Sequence, residues 1–189
     1  RRFPDWTRVG LSTFDVRRAV DFLASRDEVD ADRIAAWGWS QGGQMAILGA
    51  AVDDRIGVVV SVCGWGPLRG VGGERAVNWA RSYNFPRLAP HLENGLPLPL
   101  DFDHVVACLA PRPLLDVRAR QDDTFPNVHE ATTALDELAQ IWERAGAAER
   151  FAVVSAEGGH AHGHTAAQAG QGWLRRWLAG PPRAGNCVD

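Results

Sequence analysis

The chain has no lysine: all of its 20 basic residues are arginine. Within these 189 residues that excludes a Schiff-base lysine, a pyridoxal phosphate anchor, a phosphate-loop lysine and a Ser-x-x-Lys dyad. Cysteine is scarce too. Cys63, Cys108 and Cys187 are odd in number and far apart, with no C-x-x-C pair, so zinc and redox readings are poor. Unpaired cysteines lean towards a reducing, cytoplasmic compartment. No apolar run approaches the length of a membrane span. Net charge is −3 with acids and bases interspersed, so neither nucleic acid nor a membrane surface is an expected partner.

With 46% hydrophobic residues, the chain can bury a core without disulfides or metal. Its most telling motif is Gly38-Trp39-Ser40-Gln41-Gly42, which reads G-x-S-x-G. A short apolar run, Arg33–Trp37, precedes it and a helical stretch of mostly small residues from Gly43 to Val52 follows. Strand, tight glycine turn and helix form a nucleophile elbow. Gly38 and Gly42 are expected where larger side chains would clash, and Ser40 is expected in a strained backbone conformation.

Two further groups lie at predicted strand ends. A proline-opened strand from Pro111 to Ala119 runs into Gln121-Asp122-Asp123-Thr124-Phe125-Pro126. A second strand, Phe151–Ala156, ends in Glu157-Gly158-Gly159-His160. Chemistry in open parallel α/β sheets gathers at the carboxyl ends of the strands. Either aspartate could instead cap the helix that follows. His162 and His164 compete with His160, and the three together could form a metal patch, although no cysteine or carboxylate cluster accompanies them in sequence. Helices are predicted over Thr13–Ser25, Asp103–Leu109, Glu130–Arg144 and Thr165–Ala179, and a continuous apolar strand over Ile56–Gly64. His91, His104 and His129 read as surface or capping groups.

The chain resembles the C-terminal half of an α/β-hydrolase, similar to the esterases that include dienelactone hydrolases and acetyl xylan esterases. The resemblance rests on Asp15–Leu23, Val29–Ile34, Gly38–Gly43, Ala110–Leu115, the Asp122 loop, Gly158-Gly159-His160 and Trp173–Leu178. It implies a single partial α/β domain of about four parallel strands with flanking helices, a cap-like insertion at about 65–103, and N-terminal strands of the full fold missing. It also implies a Ser40–Asp122–His160 triad acting on carboxylic esters through an acyl-enzyme, with the Gln41 N–H in the oxyanion hole. Asp122 is preferred to Asp123 because the family's acid falls four residues before a proline, here Pro126. No cofactor or metal is implied, and the expected partner is a small-molecule ester. Trp39, Trp65, Trp79, Tyr83 and Phe85 read either as packing or as an aromatic platform for substrate. Two alternatives stay open: a peptidase of the prolyl-oligopeptidase type, and an inactive fragment acting as an interaction module. A strand left at a sheet edge would pair with a missing N-terminal half or with another chain.

Overall fold

The computed structural model describes residues 6–69, 76, 77, 80, 81, 85–125 and 128–179. Four strands form one parallel sheet in the order β1-β2-β3-β4: β1 Ile34–Trp39, β2 Ile56–Val62, β3 Leu114–Ala119 and β4 Phe151–Ala156. The helices are α1 Arg8–Ala24, α2 Gln41–Val52, α3 Ala89–Glu93, α4 Phe102–Ala107, α5 Val128–Arg144 and α6 His164–Leu178. The expected fold class is thus observed. Parallel strands need a crossover between each pair, and here α2 and α5 supply the first and last, with α3 and α4 lying between β2 and β3.

Several limits shift from the sequence reading. α1 begins at Arg8 rather than Thr13, because the Thr7 hydroxyl accepts the Gly10 N–H at 2.9 Å and caps the helix. β1 runs on through Gly38 to Trp39, and α2 starts directly at Gln41. β3 begins at Leu114, three residues after the proline that was expected to open it.

The sheet is covered on both faces. On one, Ile47 and Ala50 of α2, Val106 of α4 and Leu138 and Trp142 of α5 bury against Ile56, Val59 and Leu114. On the other, Ala166 and Trp173 of α6 pack on Val58, Val60, Leu115 and Val117. Every residue of β2 is buried, as suits a strand paired on both sides. β1 pairs with β2 alone, and its other edge has no strand among the described residues. α1 packs on α2 but leaves Trp6 beside its start, Leu11, Phe14 and Phe22 exposed.

The segment expected as an insertion is clasped at its ends. The Asp101 carboxylate accepts the Leu68 N–H at 2.7 Å and the Arg69 N–H at 2.9 Å, and Arg69 donates to both oxygens of Asp103 at 2.8 and 2.6 Å. His104 Nδ1 accepts the Asp101 N–H at 2.9 Å and completes the cap of α4.

Candidate active site

Ser40 stands between β1 and α2 with φ 52° and ψ −121°, a region that side chains rarely adopt. Neighbouring backbone holds it there. Its N–H donates to the Val62 carbonyl at 2.8 Å, and its own carbonyl accepts the Gln44 N–H at 3.0 Å. The glycine requirement differs from the expected one. A Cβ on Gly38 would overlap the carbonyl group of Gly42 and stand 2.6 Å from the Gly43 nitrogen, whereas one on Gly42 would meet nothing within 4 Å. The turn needs Gly38. Gly43 is crowded as well, by Gly64 and the Ser61 hydroxyl at 3.0 Å.

Two loops at the same end of the sheet complete the cluster. After β3, the Asp122 carboxylate accepts the N–H of Thr124 at 2.8 Å and of Phe125 at 3.2 Å, which fixes its plane. After β4, Gly158 adopts φ 100° and its N–H donates to the Gln121 side chain at 2.8 Å. This joins the two loops and brings His160 across. The imidazole then bridges: Nε2 lies 2.7 Å from Ser40 Oγ, and Nδ1 lies 3.0 Å from each oxygen of Asp122. The Asp122 and His160 side chains are only 9% and 15% exposed. Nδ1 therefore carries the hydrogen towards the carboxylate, and Nε2 faces the hydroxyl as acceptor.

The other candidate residues fall into distinct places. Gln41 is the first residue of α2, so its N–H has no acceptor within the helix and lies at the positive end of the helix dipole. Trp39 is 44% exposed, and its ring centroid lies 5.7 Å from that of His160. Phe125, which sequence reasoning did not single out, has its ring 6.1 Å away. Trp65 is buried, stacks on Phe102 and donates its indole N–H to Asp116 at 3.2 Å. Phe85 packs edge-on against the same Phe102. Trp79 and Tyr83 lie outside the described residues. Asp123 is exposed one position from the acid that meets His160, and the His162 ring packs on Trp37 instead.

Beneath the acid, Arg118 donates to the buried Asp116 at 2.6 Å and lays its guanidinium 4.4 Å from the centroid of Trp65. Burial raises the Asp116 carboxyl above its ordinary value, against the pull of Arg118. Trp65 and Arg118, with Cys63, Asp122 and Phe125, wall a cavity of about 310 Å³. Among the described residues, the histidines at 160, 162 and 164 do not converge on a common point. The ligand-type atoms that do converge are those of Cys63, Asp122 and His160.

A parallel sheet with an elbow serine after its edge strand, and an imidazole and a carboxylate from later loops, is the half-sheet of an α/β-hydrolase. Comparisons with known proteins agree. The family model of acetyl xylan esterase (AXE1) matches residues 12–65. "Putative hydrolase YtaP" of Bacillus subtilis (strain 168) is 29% identical over 171 residues, covering 89% of this chain and 54% of that protein. A glucuronoyl esterase from Solibacter usitatus superposes with a TM-score of 0.78 at 21% identity, over 93% of this chain and 50% of that one. A carbohydrate esterase family 15 glucuronoyl esterase from Caldicellulosiruptor kristjansonii gives 0.74 at 17%, over 99% and 57%. The chain therefore has the α/β-hydrolase fold, is similar to its esterase-like members, and spans about half the length of the relatives it matches.

Proposed function

We propose that this chain carries the acyl-transfer machinery of a serine hydrolase acting on carboxylic esters. One observation carries the reading: the His160 ring bridges the Ser40 hydroxyl and the Asp122 carboxylate, at 2.7 and 3.0 Å. A serine hydroxyl alone is a weak nucleophile, and an adjacent base held by a third group is what activates it.

Ser40 Oγ attacks the ester carbonyl carbon while His160 Nε2 takes its proton. Asp122, held by two backbone N–H groups, keeps the imidazole in the right tautomer and stabilises the cation that forms. Negative charge grows on the former carbonyl oxygen, and the Gln41 N–H at the start of α2 faces it as donor. The imidazolium returns its proton to the departing alcohol. Water then repeats the sequence on the acyl-enzyme, with His160 again as base.

Trp39 and Phe125 flank the imidazole, so the acyl or alcohol group meets aromatic walls. The finer substrate class this reading favours is an ester on a carbohydrate. It is supported by the acetyl xylan esterase family match and by the glucuronoyl esterases whose fold the chain shares. Segment 65–103, clasped by Asp101 and Asp103, is proposed as a cap beside the site.

The test is a substrate panel: p-nitrophenyl acetate, acetylated xylo-oligosaccharides, a methyl-esterified uronate and a dipeptidyl amide. Turnover of the esters that disappears in Ser40→Ala supports the proposal. Turnover of the amide in preference to every ester would replace it with a peptidase, and a folded protein that cleaves none would refute it.

A further inference from the structure

Cys63 follows β2 in a left-handed conformation, φ 47°, with its N–H donating to the Val117 carbonyl at 2.8 Å. Only 4% of it is exposed. Its backbone is thus fixed against β3, and the side chain faces the loop that carries Asp122. The Cys63 Sγ, an Asp122 oxygen and a His160 ring nitrogen all lie within 4.8 Å of one another. Nδ1 is the ring nitrogen on the carboxylate side.

Thiolate, imidazole and carboxylate are the donors that Zn²⁺ and softer relatives such as Cd²⁺ select. With bonds of about 2.0 to 2.3 Å, tetrahedral donors sit roughly 3 to 4 Å apart, so separations of up to 4.8 Å need to close by at most about 1 to 2 Å. Gly158 and Gly159 precede His160, and Gly158 already adopts a φ of 100°, so the imidazole loop can yield by that much.

We propose that Cys63, Asp122 and His160 form an inhibitory site for a thiophilic divalent cation. The cation bonds to Cys63 Sγ and displaces the thiol proton to solvent. It bonds to an Asp122 oxygen and to His160 Nδ1, and the imidazole proton moves from Nδ1 to Nε2. No electrons change hands and one proton is released. Nε2 is then a donor and cannot take the Ser40 proton, and Asp122 no longer orients the ring. Burial pushes the Cys63 thiol up to about 11, against a backbone hydrogen bond from Ala119 that lowers it.

The inhibition half rests on the esterase reading; the binding half does not. The experiment separates them. In a Cys108→Ser/Cys187→Ser background Cys63 is the one remaining thiol. Cd²⁺ titration should raise a thiolate-to-metal charge-transfer absorption at one equivalent, reversed by a chelator and absent in Cys63→Ala. In the wild type, Zn²⁺ should inhibit ester hydrolysis, and Cys63→Ala should need roughly 10- to 100-fold more Zn²⁺ for half-inhibition, each protein being scored against its own metal-free rate. Cys63→Ser is a second variant should the alanine protein fail to fold. No charge-transfer band in the folded single-thiol protein would overturn the proposal whatever the enzyme activity. Unchanged Zn²⁺ sensitivity in a folded Cys63 variant would overturn it equally.

Discussion

The carbonyl of Gly42 occupies the space where a side chain on Gly38 would begin. The chain turns back on itself at Ser40 so tightly that residues four apart touch. Gly38→Ala should therefore break the elbow, lowering ester hydrolysis by about 10²-fold or more, or preventing folding. Gly42→Ala should stay within about threefold of wild type, since a methyl group there meets no neighbour. Activity and circular dichroism of the pair decide it. Equal damage from both would show that the turn differs from this geometry.

Asp122 and Asp123 are adjacent in sequence and unlike in place. Asp122 meets His160, and Asp123 is exposed. Asp122→Asn should lower kcat by about 10³- to 10⁴-fold, because the amide favours the wrong imidazole tautomer. Asp123→Asn should change it less than about threefold. A dead Asp123 variant beside an active Asp122 variant would reverse the assignment.

The fold was legible because its signals are local. Continuous apolar runs mark β2 and β4, and the 3.6-residue period of Leu138 and Trp142 marks α5. That the loops after β1, β3 and β4 open on one edge follows from a parallel sheet, so serine, acid and imidazole could be named from strand ends. What the sequence hid depends on register. Cys63 shows no partner in the sequence, since its approach to Asp122 needs β2 and β3 aligned as Ser61 opposite Asp116. Thr7 was missed as a cap because Gly10 interrupts the helical pattern after it. Gly42 was overvalued because a motif shows which glycines are present, not which are crowded.

A bidentate pair sets an acid limit on stability. Arg55 donates from Nε and Nη2 to the two oxygens of Asp53 at 2.8 and 2.6 Å, and its Nη2 also reaches Asp21 of α1 at 2.7 Å. The Arg55 hydrogen bonds, against an opposing burial effect, hold the Asp53 carboxyl below its ordinary value of 3.8. The folded value is thus lower than the unfolded one. The contribution is present above about pH 4 and is lost as pH falls through the folded value. Asp53→Asn should lower stability by about 1–2 kcal/mol at pH 7 and progressively less below about pH 4. Urea midpoints across pH measure this, and a gap that widens on acidification would contradict it.

β1 and β2 should differ in protection. β2 pairs on both sides and β1 on one among the described residues. Amide hydrogen exchange along Ile34–Trp37 should be about 10-fold or more faster than along Val58–Val62. Equal protection would show that another strand covers β1, from this chain or from a second copy.

Ser40 should react as the activated nucleophile of the chain. A fluorophosphonate probe followed by peptide mass mapping tests it most directly. One adduct per chain is expected, on Ser40, absent in Ser40→Ala and formed about 10³-fold more slowly in His160→Gln. Folded protein that stays unlabelled, or an adduct on any other residue, would contradict it.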